Sequence, residues 1–343
     1  MNYQNILIVK LSAIGDVIHA LPVARALKKC FPDCRITWVV ENPAYDLLTN
    51  NPDIDEIIVF DKPKFKSLSG LIKHVPEMAR LLKSRQFDLA IDLQGLFKSA
   101  MLAWLSGAPV RIGYCNMREL SGLVSKPVCG INHKGHVVER YLDVARALQC
   151  NVETAEFVVQ PSIDDIKTAQ ELLAINGINP GARYAVFAPG TNWASKCWPA
   201  GNYAKLIDLI WQTYQLPAVI IGGSKDGVLM KEIKRLTSYK PIDLIGKTTL
   251  KQLAVIHQES SFFVGGDTGP MHLAVAMGTP VIALFGPSDY KRNGPYGYNQ
   301  KVICSELECG PCFKRDCKTM ECMEMIAPET VFEAVSDLLP PGK

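Results

Sequence analysis

Short apolar runs alternate with segments whose apolar residues recur every three or four positions, and this happens twice along the chain. The first series opens with a strand over Ile6–Leu11. Val17, Ile18, Leu21, Ala24 and Leu27 then line one face of a helix over Gly15–Lys29. Strands are predicted at Ile36–Val40, Glu56–Phe60, Phe87–Leu93 and Val110–Tyr114, and helices at Leu68–Ser84, Phe97–Leu105 and His136–Leu148. The second series places strands at Tyr184–Ala188, Ala218–Ile221, Ile242–Ile245, Phe262–Val264 and Val281–Phe285. Helices fall between them at Gly201–Tyr214, Gly227–Leu236, Leu250–His257 and Gly269–Met277. Strands joined by crossover helices make a parallel, doubly wound α/β sheet. The turn-rich stretches Gln160-Pro161-Ser162 and Asn179-Pro180-Gly181 separate the series. Two Rossmann-like domains facing a central cleft are therefore expected, over residues 1–165 and 166–343.

With 48% hydrophobic and 21% charged residues, the chain has the profile of a globular protein. A net charge of +3 gives no case for nucleic acid as a partner. No apolar run approaches the roughly 20 residues of a membrane-spanning helix. The start of the chain runs directly into Ile6–Val9 without the pattern of a signal peptide, so a cytoplasmic protein is expected. In that compartment its eleven cysteines should be mostly thiols. Cys30, Cys34, Cys115, Cys129, Cys150 and Cys197 read as small buried hydrophobes.

In open α/β sheets, ligands bind beyond the carboxyl ends of the strands, so the loops there carry the chemistry. The first, Lys10–Asp16, contains Ser12 and Gly15 and places Asp16 in the first turn of a helix. Taken alone, an acid there complements the helix dipole. The second, Ala188–Lys196, offers Thr191, Asn192, backbone amides and the Lys196 cation, a set that suits a diphosphate. The third, Gly265–His272, joins paired glycines to Asp267, Thr268, Gly269 and His272 at a helix start, where a phosphate can sit on free amides. Gly222-Gly223 follows another strand and lets a nucleotide lie close. Asp53-Ile54-Asp55 has the spelling of a metal-binding D-x-D, but it precedes its strand and reads as a solvated turn.

Together these loops resemble glycosyltransferase family 9, the ADP-heptose:lipopolysaccharide heptosyltransferases. The resemblance rests on K-L-S-A-I-G-D-V-I-H-A-L-P at Lys10–Pro22, I-D-L-Q-G-L-F-K-S-A at Ile91–Ala100 and P-G-T-N-W-A-S-K-C-W at Pro189–Trp198. It is completed by G-G-D-T-G-P-M-H-L-A at Gly265–Ala274 and F-G-P-S-D at Phe285–Asp289. The first two segments look more like heptosyltransferase I than II. The resemblance implies a GT-B fold, with an acceptor-binding N-terminal domain and a donor-binding C-terminal domain. It implies inverting transfer of heptose from ADP-heptose to the Kdo inner core, with Asp16 as general base. Thr191, Asn192 and Lys196 match donor phosphate positions, Asn192 replacing a hydroxyl residue. Asp267, Thr268 and Gly269 match the segment holding diphosphate and sugar, and Asp226 falls near the ribose.

Inversion needs one in-line displacement, a carboxylate to take the acceptor proton, and charge to meet the leaving diphosphate. Lys196 and the helix start at Gly269 supply that charge, so no metal cofactor is required. The acceptor that the resemblance implies, Kdo-lipid A, would be an anionic lipid sugar at the inner face of the inner membrane, where a monomer would bind peripherally. Ser12 and Gly15, the basic loop of Lys62, Lys64 and Lys66, and Lys98, Arg111, Arg118 and Lys126 are candidates to meet it. Cys309, Cys312, Cys317 and Cys322, with Cys304 nearby, have a spacing that zinc, an iron–sulfur centre, or structural thiols and disulfides would each satisfy. Two alternatives remain open at this level. One is another transferase or epimerase of GT-B type acting on nucleotide sugars. The other is a non-catalytic nucleotide-sugar-binding protein.

Overall fold

The computed structural model describes residues 3–305 and 307–339. The chain divides after Gln160 into two compact units. The first contains β1 (Asn5–Val9), α1 (Ile14–Cys30), β2 (Arg35–Val40), α2 (Asn42–Leu48), β3 (Glu56–Val59), α3 (Leu68–Lys83), β4 (Leu89–Asp92), α4 (Phe97–Leu105), β5 (Val110–Tyr114), β6 (Lys126–Val128) and α5 (Val137–Ala147). Its six strands lie in the order β3-β2-β1-β4-β5-β6, all paired parallel. Strands covered by helices on both faces read as continuous apolar runs, and Ile6, Leu7, Ile8 and Val9 of β1 are all buried.

The second unit contains α6 (Ile163–Ile175), β7 (Ala185–Ala188), α7 (Ala200–Tyr214), β8 (Ala218–Ile220), α8 (Gly227–Leu236), β9 (Ile242–Asp243), α9 (Leu250–Glu259), β10 (Phe262–Gly266), α10 (Gly269–Ala276), β11 (Val281–Phe285), α11 (Tyr290–Asn293), β12 (Gln300–Cys304), α12 (Glu321–Glu324) and α13 (Pro328–Leu338). Its strand order is β12-β11-β10-β7-β8-β9, again parallel throughout. Counted within each unit, both sheets have the winding 3-2-1-4-5-6 of a dinucleotide-binding fold.

Three differences from the sequence reading have local causes. Each sheet gains a sixth strand: β6 is three residues long with Pro127 at its centre, and β12 precedes the cysteine-rich segment. The division falls after Gln160, where the sequence reading put it after residue 165. Ser162 caps α6 reciprocally with Asp165, and α6 packs on α9, so the whole helix belongs to the second unit. The described segment beyond Cys304 is not a simple excursion either. It returns through α13, where Val331 and Val335 join a core with Trp198, Tyr203 and Ile207, and Trp198 Nε1 donates to Ile326 O at 2.9 Å.

His257 of α9 lies fully inside this unit, 5.4 Å from the ring of Phe263, and neither ring nitrogen has a hydrogen-bond partner among the described residues. Burial pushes its pKa down to about 3. The folded pKa lies below the unfolded one, so the neutral ring's contribution is complete above pH ~6.5 and is lost as pH falls toward the folded value. Between pH 7.5 and 5 this one group should cost about 2 kcal/mol of stability. Urea unfolding at the two pH values should show that loss in the native protein and a smaller one in His257→Phe.

Candidate active site

In each unit the winding reverses between the first and fourth strands, β1 and β4 in one and β7 and β10 in the other. Loops leaving the carboxyl ends of such a pair part to opposite faces and open a crevice. In the first unit, that crevice is bridged by Gln94, which follows β4. Its Oε1 accepts from the backbone N–H groups of Leu11 and Ser12, at 3.0 and 3.1 Å, in the loop after β1. The Glu41 N–H donates to Leu11 O, and the Lys98 ammonium holds the Glu41 carboxylate at 2.5 Å. Beneath the loop, the buried Lys10 ammonium donates to Leu93 O and to the Tyr141 hydroxyl. The buried Asp92 carboxylate accepts from Gln94 N, Gly95 N and the Ser99 hydroxyl. Burial still pushes its pKa up against those bonds and the Lys10 charge. Asp16 stands on this framework in the first turn of α1, half-buried. Its Oδ2 accepts from Ala13 N at 3.2 Å, and Oδ1 accepts no bond among the described residues.

In the second unit the crevice is bridged by charge. Lys196, after β7, and Asp267, after β10, pair at 2.5 Å, and His272 Nε2 lies 3.5 Å from the other Asp267 oxygen. Burial works to raise the Asp267 pKa, but the hydrogen bonds and charges of His272 and Lys196 hold it below the usual carboxylate range. The Lys196 ammonium also sits 4.1 Å from the centre of the Trp193 ring, and the Arg315 guanidinium 5.5 Å from the same ring. Thr191 donates to Trp193 O, which folds the loop over itself. Asn192 Oδ1 accepts from the Lys225 ammonium at 2.8 Å. Thr268 is the N-cap residue of α10, but its hydroxyl bonds Gly266 O instead of a helix amide, so the N–H of Gly269 stays at the open helix start.

Two glycine-bearing turns rest on one carboxylate. Asp226, only 8% exposed, accepts from Gly223 N at 2.8 Å. A Cβ on Gly190 would lie 2.2 Å from its Cγ, and one on Gly222 would lie 2.7 Å from its Oδ2. Asp226 therefore packs beneath the Ala188–Lys196 loop. The cysteine-rich segment supports the same loop from the side. Ser195 N donates to Arg315 O at 3.2 Å, and its hydroxyl donates to Lys314 O at 2.6 Å.

Other expected residues fall elsewhere. Of the expected solvated turn, Asp55 is exposed but Asp53 is not. Asp53 is buried against Arg25 at 3.1 Å, and Asp55 pairs with Lys28 at 2.8 Å, so both staple the turn to α1. Ser12 and Gly15 lie in the Asp16 loop and first turn. Lys62 and Arg118 are exposed, Lys64 is tied to Asp61 at 3.2 Å, and Lys98 is engaged by Glu41. Cys115 and Cys129 are not free thiols but form a disulfide between the ends of β5 and β6. Cys34 and Cys150 are buried as expected, and burial pushes the Cys34 thiol up to about 11. Cys309, Cys312, Cys317 and Cys322 are free, and among the described residues no group of three or more His, Cys, Asp or Glu is placed to share a metal ion. Gln94, Trp193, Lys225 and Arg315 were given no role from sequence. Arg315 lay among cysteines that drew attention to metal instead.

Two Rossmann-like units, each with a crevice at its switch point, make the GT-B fold, and the family match gives the class, a glycosyltransferase. Residues 75–323 match the model of glycosyltransferase family 9 (heptosyltransferase), and the chain belongs to that family. It is 28% identical over 324 residues to lipopolysaccharide heptosyltransferase 1 of Pseudomonas aeruginosa, covering 92% of this chain and 87% of that one. A family 9 glycosyltransferase from Veillonella parvula superposes with a TM-score of 0.87 at 26% identity, over 99% of this chain and 98% of that one. The E. coli heptosyltransferase WaaC with ADP gives 0.76 at 24% identity, over 98% and 100%.

The packing on Asp226 yields a direct expectation. Gly190→Ala must move the Ala188–Lys196 loop or the Asp226 carboxylate, whereas a Cβ on Gly227 meets nothing within 4 Å. Gly190→Ala should lower the thermal midpoint and weaken nucleotide binding at least tenfold, and Gly227→Ala should do neither. Differential scanning fluorimetry with and without ADP reads both.

Proposed function

We propose that this protein transfers heptose from ADP-heptose to the Kdo inner core of lipopolysaccharide, with inversion at the anomeric carbon. The observation that carries the reading is the Lys196–Asp267 pair, set across the second unit's crevice beside the open start of α10. Membership of family 9 supports it, as do relatives named lipopolysaccharide heptosyltransferases and a fold shared with a heptosyltransferase bound to ADP.

On this reading the second unit takes the donor. Its diphosphate lies along Thr191–Lys196 and the Thr268–Gly269 amides, with the sugar toward Asp267 and His272. The first unit takes the acceptor. The acceptor hydroxyl attacks the anomeric carbon opposite the leaving ADP, and a carbon–oxygen bond forms as the bond to phosphate oxygen breaks. The free Oδ1 of Asp16 accepts the hydroxyl proton. Fixed cations and amides meet the charge that grows on the departing diphosphate, so the displacement needs no metal.

The acceptor side is suited to an anionic lipid surface. Residues 62–76 hold Lys62, Lys64, Lys66 and Lys73 and no acid. The first turns of α3 expose Leu68 (75%) and Ile72 (70%) beside them. A basic segment with outward aliphatics binds a charged bilayer surface peripherally.

Four measurements test the reading. Asp16→Asn should lower turnover by at least a hundredfold with both substrates saturating, and near-native turnover would remove Asp16 as base. Native turnover should persist in EDTA. In a donor and acceptor panel read by mass spectrometry, heptose should appear on Kdo-lipid A from ADP-heptose and not from UDP-sugars. Co-sedimentation with anionic vesicles should weaken in the double variant Leu68→Ser, Ile72→Ser.

A further inference from the structure

The charge balance of the donor crevice is unusual for a site meant to hold a diphosphate. Lys196 is its one motif cation, yet its ammonium is paired with Asp267 at 2.5 Å, and both side chains are largely buried. Together they are neutral. His272 adds positive charge only when protonated. A nucleoside diphosphate is multiply anionic and gains charge as it leaves, so a neutral pair and a helix start meet it only in part.

Two other cations reach the same loop from outside the recognised motifs. The Lys225 ammonium bonds the Asn192 side-chain oxygen, a neutral acceptor, so its full charge is retained. The Arg315 guanidinium lies over the Trp193 ring, which also carries Lys196. Among the described residues, neither Lys225 nor Arg315 has a carboxylate within ion-pair distance, and both are exposed. Each is also fixed in place. Lys225 belongs to the turn at Ser224–Asp226, whose Asp226 carboxylate packs beneath Gly190. Arg315 is tied by its own carbonyl and that of Lys314 to Ser195, one residue before Lys196.

We infer that Arg315 and Lys225 are the uncompensated cations of the diphosphate site, and that the cysteine-rich segment serves the site by presenting Arg315. Lys196 then acts chiefly by positioning Asp267. Arginine is the residue suited to a phosphate fork, and Lys225 supplies a point charge at the other end of the loop. The inference rests on the reading of this unit as the donor side, and inorganic pyrophosphate separates the two questions.

The test is calorimetric titration of the full chain, native and as Arg315→Gln, Arg315→Lys and Lys225→Gln, with ADP, pyrophosphate and adenosine. Arg315→Gln and Lys225→Gln should each weaken ADP and pyrophosphate about tenfold, equivalent to about 1.4 kcal/mol, with adenosine affinity unchanged. Arg315→Lys should recover part of the loss. The salt dependence of ADP binding should flatten in both glutamine variants. Unchanged thermal midpoints show that the fold is intact. If the native chain binds pyrophosphate but prefers another nucleotide to ADP, loss of pyrophosphate binding in the variants still supports the inference while the ADP reading falls. ADP and pyrophosphate affinities within twofold of native in both glutamine variants overturn it. So does a native chain that binds neither anion.

Discussion

The reversal of winding between the first and fourth strands is the constraint on which the rest of this molecule depends. At that point neighbouring parallel strands send their chains to opposite faces, and the backbone cannot close the gap it leaves. The chain does this twice, with the same strand order in both units. Each time a side chain from the fourth-strand loop reaches back to the first-strand loop. Gln94 does so with an amide oxygen, which orders the approach to Asp16 without placing a charge there. Asp267 does so with a carboxylate, which orders Lys196 at the cost of neutralising it.

That difference sets the character of each crevice. A neutral bridge adds no charge of its own beside Asp16 in the first. An ionic bridge is self-cancelling in the second; removing Asp267 would leave Lys196 buried without a counter-charge, and removing Lys196 would leave Asp267 with His272 alone, either being more damaging than losing an exposed pair. Asp267 is the more sensitive member, because it is the group from which burial withdraws solvent and to which both Lys196 and His272 return charge. The charge of the Lys196–Asp267 pair is thus committed to holding the second crevice together.

Much of this was legible in the chain. Apolar runs at Ile6–Val9 and Val281–Phe285 are long and uniform because both sheet faces are covered, so they announce buried parallel strands. The loops after β1, β7 and β10 were legible because glycines and polar residues cluster at strand ends. The sixth strands were not, since Pro127 interrupts β6 and β12 runs straight into cysteines. Partners were harder still. The packing of Asp226 beneath Gly190 and Gly222 has no local signature in the sequence. Asp53 and Asp55 spell a metal motif, yet Arg25 and Lys28 of α1 claim them. Arg315 could not be assigned from local pattern, because its place beside Trp193 depends on bonds to Ser195, more than a hundred positions away.

The convergence of two glycine-bearing turns on Asp226 also bears on how such a chain can diverge. A side chain at position 190 or 222 displaces the Asp226 carboxylate unless position 226 has first become smaller. Loss of Asp226 would remove the acceptor for Gly223 N, so the permissive first step is itself unfavourable. The order of changes is therefore restricted. Sequences that vary these three positions should do so as a set, and single exchanges among them should be rare even where the surrounding loops differ freely.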